Sequence, residues 1–139
     1  MIKVIDLLQT KCLEHTSLDM HTPVMDALTI MESENLTHVV VTANGAYAGI
    51  FSTRDYAQKV VLMRKNSYTT TIGESITKNL PTVNVEDSAQ ICWMLMKSNN
   101  TSFLPVFDEF RFVGIITMAD LLDETMSMQE PELNGEKIF

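Results

Sequence analysis

Glycine, cysteine, tryptophan and cationic side chains are all scarce in this 139-residue chain, which has five Gly, two Cys, one Trp and ten Lys+Arg against eighteen Asp+Glu. The shortages of cysteine and of positive charge each exclude something. A formal net charge of −8 repels a phosphodiester backbone, so no nucleic acid partner is expected. Cys12 and Cys92 form no C-x-x-C pair. Cys92 falls within an apolar helical pattern and reads as a buried, inert thiol in a reducing compartment, not as a disulfide or metal ligand. No apolar run approaches the ~18 to 20 residues that span a bilayer. Met1 to Leu8 carries Lys3 and Asp6 where a signal peptide has a continuous apolar stretch. The expectation is a soluble, cytoplasmic chain with no membrane partner. His15, His21 and His38 lack metal-ligand spacing, and no P-loop, nucleophile elbow or Cys/His pair is present. Neither an enzyme nor a catalytic cofactor is expected, and no metal.

What the chain does have is an internal repeat. Sliding the sequence by 65 positions lays Gly49-Ile50-Phe51-Ser52-Thr53-Arg54-Asp55 on Gly114-Ile115-Ile116-Thr117-Met118-Ala119-Asp120 without a gap. The same shift lays Val39-Val40-Val41 on Leu104-Pro105-Val106, and Val24, Ala27, Leu28 and Met31 on Ala89, Cys92, Trp93 and Met96. The last two sets have i, i+3, i+4, i+7 spacing, the signature of one helical face. Two similar structural units follow.

In the first unit Thr22 is the expected N-cap, with Pro23 at the first helical position and the helix running to about Ser33. Thr37 to Thr42 is a β-branched strand. Asn44-Gly45 supplies the positive φ angles of a tight hairpin, Ala46 to Phe51 returns, and Ser52 opens a helix to about Met63. In the second unit Asp87-x-x-Gln90 resembles a capping box. Ser102 to Phe107 and Arg111 to Ile116 are strands about a turn at Asp108-Glu109, and Thr117 opens a last helix ending near Met126. Arg64 to Thr71 links the units, Ile72 to Ile76 is a short helical turn, and Val4 to Leu8 is a short helix packing on the other unit. The expected boundaries are 8–65, 72–126 and a mobile tail, 127–139. A unit of about 60 residues is marginal alone. The expected fold is therefore α/β in the mixed α+β sense. Two β-α-β-β-α units pack sheet to sheet with pseudo-two-fold symmetry, leaving a cleft at their junction.

The twice-repeated Gly-φ-φ-Ser/Thr-x-x-Asp, set in matching units, resembles a tandem pair of cystathionine-β-synthase (CBS) domains, a Bateman module. The stretch Ser52-Thr53-Arg54-Asp55-Tyr56-Ala57-Gln58-Lys59-Val60-Val61 is similar to a stand-alone subgroup that consists of little else. Two departures stand out. Ile76-Thr77 takes the place of the Met-Thr that many relatives carry, and Met118-Ala119 takes the place of Thr53-Arg54. The resemblance implies a non-catalytic regulatory protein, a flat homodimer that binds AMP, ADP or ATP, or NAD(H) or S-adenosylmethionine, and acts on a separate, unidentified protein.

A nucleotide sets three chemical tasks. Ribose hydroxyls donate, so Asp55 and Asp120 suit them as acceptors. Phosphate favours the helix starts at Ser52 and Thr117, with Thr53 beside the first. The resemblance implies that Thr16 to Leu18 and Thr37, His38 and Val39 line one adenine slot. It implies that Pro81 to Val83 and Ser102, Phe103 and Leu104 line the other. Arg54, Lys59, Arg64 and Lys65 crowd twelve positions that open inside the first motif, whereas Ala119 and Glu124 match Arg54 and Lys59. The first site is thus expected to take the phosphates, and the second to stand empty or hold a nucleoside part. Both motifs also read as ordinary helix capping boxes, and the basic cluster also reads as a solvated helix face.

Overall fold

A computed structural model describes residues 1–9 and 15–129, with side chains through 123. The fold is mixed α+β, with two three-stranded sheets, β1-β2-β3 and β4-β5-β6. The chain separates into two compact units, one spanning His15–Asn79 and one joining the N-terminal helix to the segment from Leu80 onward.

In the His15–Asn79 unit, β1 (Ser17–Asp19) runs parallel to β2 (His38–Ala43), which pairs antiparallel with β3 (Ala46–Ser52). Helix α2 (Val24–Glu34) buries Val24, Ala27 and Met31 against Val39, Val41 and Phe51. These are alternate strand residues, so one sheet face meets one helix stripe. Pro23, not Thr22, is the N-cap, with φ −62° and ψ 145° and no side-chain cap bond. Asn44 and Gly45 have φ of 54° and 83°, the two left-handed residues the Asn-Gly pair was expected to provide.

The expected helix from Ser52 to Met63 is not uniform. A single α-turn, α3 (Thr53–Asp55), passes into a π-helical turn, Tyr56–Val61. Leu62 N–H donates to Ala57 O at 3.0 Å and Lys65 N–H to Val60 O at 2.9 Å, each five residues back. Such π segments are rare and concentrate at functional sites. The expected short turn follows as a 3₁₀ turn, Ile72–Glu74, opened by a Thr71–Glu74 capping box.

In the second unit, β4 (Val83–Asn84) runs parallel to β5 (Phe103–Asp108), which pairs with β6 (Arg111–Thr117). Helices α4 (Ala89–Asn99) and α5 (Met118–Gln129) complete it. The N-terminal helix α1 (Val4–Gln9) packs on this unit, as expected: Val4, Leu7 and Leu8 join Val83, Val85, Cys92, Met96, Leu104, Val106, Ile116 and Leu121 in one core. Ser88, not Asp87, caps α4, accepting from Ile91 N at 3.2 Å. The Asp87 carboxylate instead accepts from Asn84 N at 2.8 Å, closing the turn before the helix. Helix α5 continues to Gln129, so residues 127–129 are helical and not tail; 130–139 lie outside the described residues, as does Cys12.

The repeat extends to backbone irregularities. Asn35 and Asn100, 65 apart, end α2 and α4 in the left-handed conformation with φ of 56° and 52°. Asn44 and Glu109, again 65 apart, share a positive φ, and the strand bulge at Val41/Thr42 recurs at Val106/Phe107. Recurrence of features that cost energy shows two copies of one unit more firmly than matching apolar letters do. One difference has a plain cause. Val40 N–H donates to Thr16 O at 3.0 Å, but the residue matching Val40 is Pro105, which has no N–H. Accordingly β1 pairs over three residues and β4 over two.

Candidate functional site

In the His15–Asn79 unit, three chain segments meet at one end of the sheet. His38, first in β2, pairs with Ser52, last in β3. Thr53 N–H donates to Thr37 O at 3.0 Å, tying the start of α3 to the residue before β2. The Val40–Thr16 bond brings in the residue before β1. Thr16, Thr37, His38, Ser52, Thr53 and Asp55, separated by up to 39 positions, are thereby gathered around one strand end.

The side chains are less available than the sequence suggests. Val39 is 1% exposed and Leu18 packs on the same core, so Val39 offers an adenine only its backbone. Thr16 Oγ1 donates to Glu34 Oε1 at 2.7 Å, and Thr37 Oγ1 lies 3.4 Å from His38 Nδ1. Arg54 and Thr53 are exposed at the helix start.

Asp55 is the most constrained member, at 3% exposure. Its Oδ2 accepts from Ser52 N at 2.8 Å and from Ser52 Oγ at 2.9 Å, while Asp55 N–H donates back to Ser52 Oγ at 3.2 Å. This is the reciprocal capping box read from the sequence. Its Oδ1 accepts from Thr77 Oγ1 at 2.6 Å and from Lys59 Nζ at 3.0 Å. A carboxylate has about four lone-pair sites, and all four meet donors here.

Lys59 is equally committed. Its ammonium bonds Asp55 Oδ1, Ile76 O at 2.9 Å and Thr77 Oγ1 at 3.3 Å, which uses its three N–H donors. The sequence grouped Lys59 with Arg54 as phosphate-facing; the structure turns it back onto the helix start and the chain at 76–77. Thr77 was legible only as the second half of the Ile76-Thr77 pair, and its bond to Asp55 had no sequence signal.

In the second unit Phe103 pairs with Thr117, and Met118 N–H donates to Ser102 O at 2.8 Å, repeating the Thr53–Thr37 tie. Thr117 N–H donates to Asp120 Oδ2 at 2.8 Å and Asp120 N–H to Thr117 Oγ1 at 3.2 Å. Asp120 is half-buried, and Glu124 holds the sequence position that matches Lys59, so the Lys59 bridge is not repeated from that position. The side chains of Val83 and Leu104 belong to the core. Among the described residues no cluster of His, Cys, Asp and Glu could hold a metal ion, and no helix is long and apolar enough to cross a membrane.

Two β-α-β-β-α units, each closing with a strand that ends in a Ser/Thr-x-x-Asp helix start, define a class of tandem-repeat protein built on one small unit. Comparison with known proteins agrees. The CBS domain model matches residues 4–62 and again 72–127, and the chain belongs to the CBS-domain family. It is 29% identical over 115 residues, 79% of its length, to a mitochondrial CBS domain-containing protein, CBSX3, of Arabidopsis thaliana, and spans 56% of that relative. It is 30% identical over 100 residues, 70% of its length, to L-aspartate semialdehyde sulfurtransferase of Methanocaldococcus jannaschii, but spans only 19% of that enzyme. A solved CBS-domain structure from Burkholderia ambifaria MC40-6 superposes with a TM-score of 0.84 at 26% identity, covering 99% of this chain and 98% of the other. The family is a regulatory one, and the match to an enzyme spans under a fifth of it.

Proposed function

We propose that this chain is a regulatory CBS pair that binds an adenine nucleotide of the AMP, ADP or ATP class, principally in its first unit, and works as a homodimer on a separate protein. The observation that carries this reading is the meeting of Thr16, Thr37–His38 and Ser52–Asp55 at one strand end. There, backbone groups can read an adenine edge, and a helix start flanked by Thr53 and Arg54 can receive phosphate. Ala119, which stands where the first motif has the exposed Arg54, supports the same asymmetry, because the second helix start lacks that cation.

A second reading is favoured by one observation, the saturation of Asp55 by four donors: the pair is a dimerisation scaffold in which the motif only caps a helix. Thermal unfolding with AMP, ADP, ATP, NAD(H), GTP and S-adenosylmethionine separates the two. A ligand that binds only the folded chain at 100 times its Kd adds about 2.7 kcal/mol of apparent stability. A rise with the adenosine phosphates and none with GTP supports the sensor. No rise with any of them leaves the scaffold, and a rise confined to NAD(H) or S-adenosylmethionine reassigns the ligand.

A further inference from the structure

The first site contains its own competitor. We propose that Lys59 and Thr77 hold Asp55 Oδ1 in the free protein, that a ribose diol must displace them to dock, and that the displacement frees the chain at Ile76–Thr77. This rests on the nucleotide reading above and adds to it both a threshold for binding and the segment that registers it.

The argument is one of acceptor capacity. With four donors on Asp55, a ribose hydroxyl can reach the carboxylate only by exchange. The Oδ2 side is a poor place for exchange. Ser52 is 5% exposed, and its N–H is a backbone donor fixed at the N-cap, so uncovering it would leave a buried donor without a partner. The Oδ1 side is the replaceable one. Thr77 is half-buried and its hydroxyl can rotate, while the Lys59 side chain is 36% exposed and can carry its ammonium into water.

The consequence lies in what else those two residues hold. Lys59 also bonds Ile76 O, and Thr77 N–H donates to Ile50 O at 3.2 Å. Ile76 is 8% exposed and its side chain packs over Gly49, where a Cβ would lie 2.9 Å from Ile76 Cδ1. The stretch 76–77 is thus pinned to the site by Asp55 and Lys59 and to β3 by Ile50. It lies just before the end of this unit at Asn79. Releasing Oδ1 removes the first set of pins and leaves the second. Ligand presence is thereby converted into looser attachment of one short segment, a differential stabilisation of two states of the kind any such coupling requires. The second unit cannot repeat this device from the matching position, because Glu124 cannot donate as Lys59 does.

The test is calorimetric titration of the full chain with adenosine, which has the diol and no phosphate, into wild type, Thr77→Val, Thr77→Ser and Lys59→Met, each first shown to be folded by its urea unfolding curve. Loss of one internal donor should tighten adenosine binding about 3- to 10-fold in Thr77→Val and in Lys59→Met, with Thr77→Ser close to wild type. Adenosine should also speed hydrogen exchange of the Thr77 amide in wild type. Equal or weaker adenosine binding by both Thr77→Val and Lys59→Met, with wild type still binding, overturns the competitor and leaves the nucleotide reading standing. No binding of adenosine, nor of AMP or ATP titrated in the same way, by any of the four chains overturns both.

Discussion

Changing Asp55 to Asn preserves volume and shape and replaces one acceptor oxygen by an NH₂ group. The four donors around Asp55 then compete for a single oxygen. If that oxygen stays with Ser52 N and Oγ, the new NH₂ faces Thr77 Oγ1, 2.6 Å away in wild type, and the Lys59 ammonium, 3.0 Å away. The hydroxyl can rotate to accept, but the ammonium cannot. If the amide flips, the NH₂ faces the immobile Ser52 N–H, which is worse. The milder arrangement loses one charge-assisted bond and the ion pair. Breaking a fully buried pair costs about 3 to 5 kcal/mol. Lys59 is 36% exposed and can recover water, so the expected loss is smaller, about 2 kcal/mol. With a urea m-value of about 2 kcal/mol/M, the unfolding midpoint should fall by about 1 M. Lys59→Met in the same background should then cost less than it does in wild type, because its partner is already gone. A midpoint shift under about 0.2 M, or costs that simply add, would refute the placement of Asp55 at the centre of a buried donor cluster.

Three glycines should respond to alanine in a fixed order. Gly73→Ala puts a Cβ 2.8 Å from Met20 O and 2.9 Å from Met20 Cβ and should cost about 2 kcal/mol or more. Gly49→Ala meets the flexible end of Ile76 and should cost about 1 kcal/mol, and Gly114→Ala, 3.4 Å from Leu8 Cδ2, should stay within about 0.5 kcal/mol; urea unfolding ranks them. Burial pushes the Cys92 thiol up to about 11. In a Cys12→Ser chain at pH 8, a thiol reagent should therefore label Cys92 only on the unfolding timescale, and rapid labelling of native protein would contradict its burial. Burial also pushes the Tyr47 phenol up to about 12, so the ultraviolet titration of native protein should hold one tyrosine back until near that pH. Because the unfolded phenol ionises first, the Tyr47 contribution to stability is full below about pH 10 and falls between about 10 and 12, and Tyr47→Phe should flatten that fall. The Glu74 carboxylate is held below its ordinary value by the Thr71 N–H and hydroxyl. That contribution is present above the usual carboxylate range and lost as pH falls through the lowered value, and Glu74→Gln should remove this acid-side component of the unfolding curve.

Much of the fold was legible because its signals are local. Val24, Ala27 and Met31 announce a buried helix face by spacing alone, and Asn44-Gly45 announces a hairpin by backbone preference. What was not legible depended on competition between neighbours. Asp87 and Ser88 are both good caps; the structure gives the helix to Ser88 because the Asp87 carboxylate is taken by Asn84 N. The π turn at Tyr56–Val61 has no composition signature and shows only in bonds five residues back. At the site, Ser52 and Asp55 were readable as a motif, and so was their capping role. Lys59 was readable as a cation but not as one turned inward, because its acceptors Ile76 O and Thr77 Oγ1 lie 17 and 18 positions away.

Amide chemical-shift mapping of the full chain during titration with AMP probes the proposed sensor at single-residue resolution. Saturable changes concentrated at Thr37–Val39, Ser52–Asp55 and Thr77, with smaller changes at Ser102–Leu104 and Thr117–Asp120, are the expected outcome. Changes scattered elsewhere, or a spectrum that millimolar AMP leaves unaltered, would mean that the strand end gathered around Asp55 is a capped helix start and nothing more.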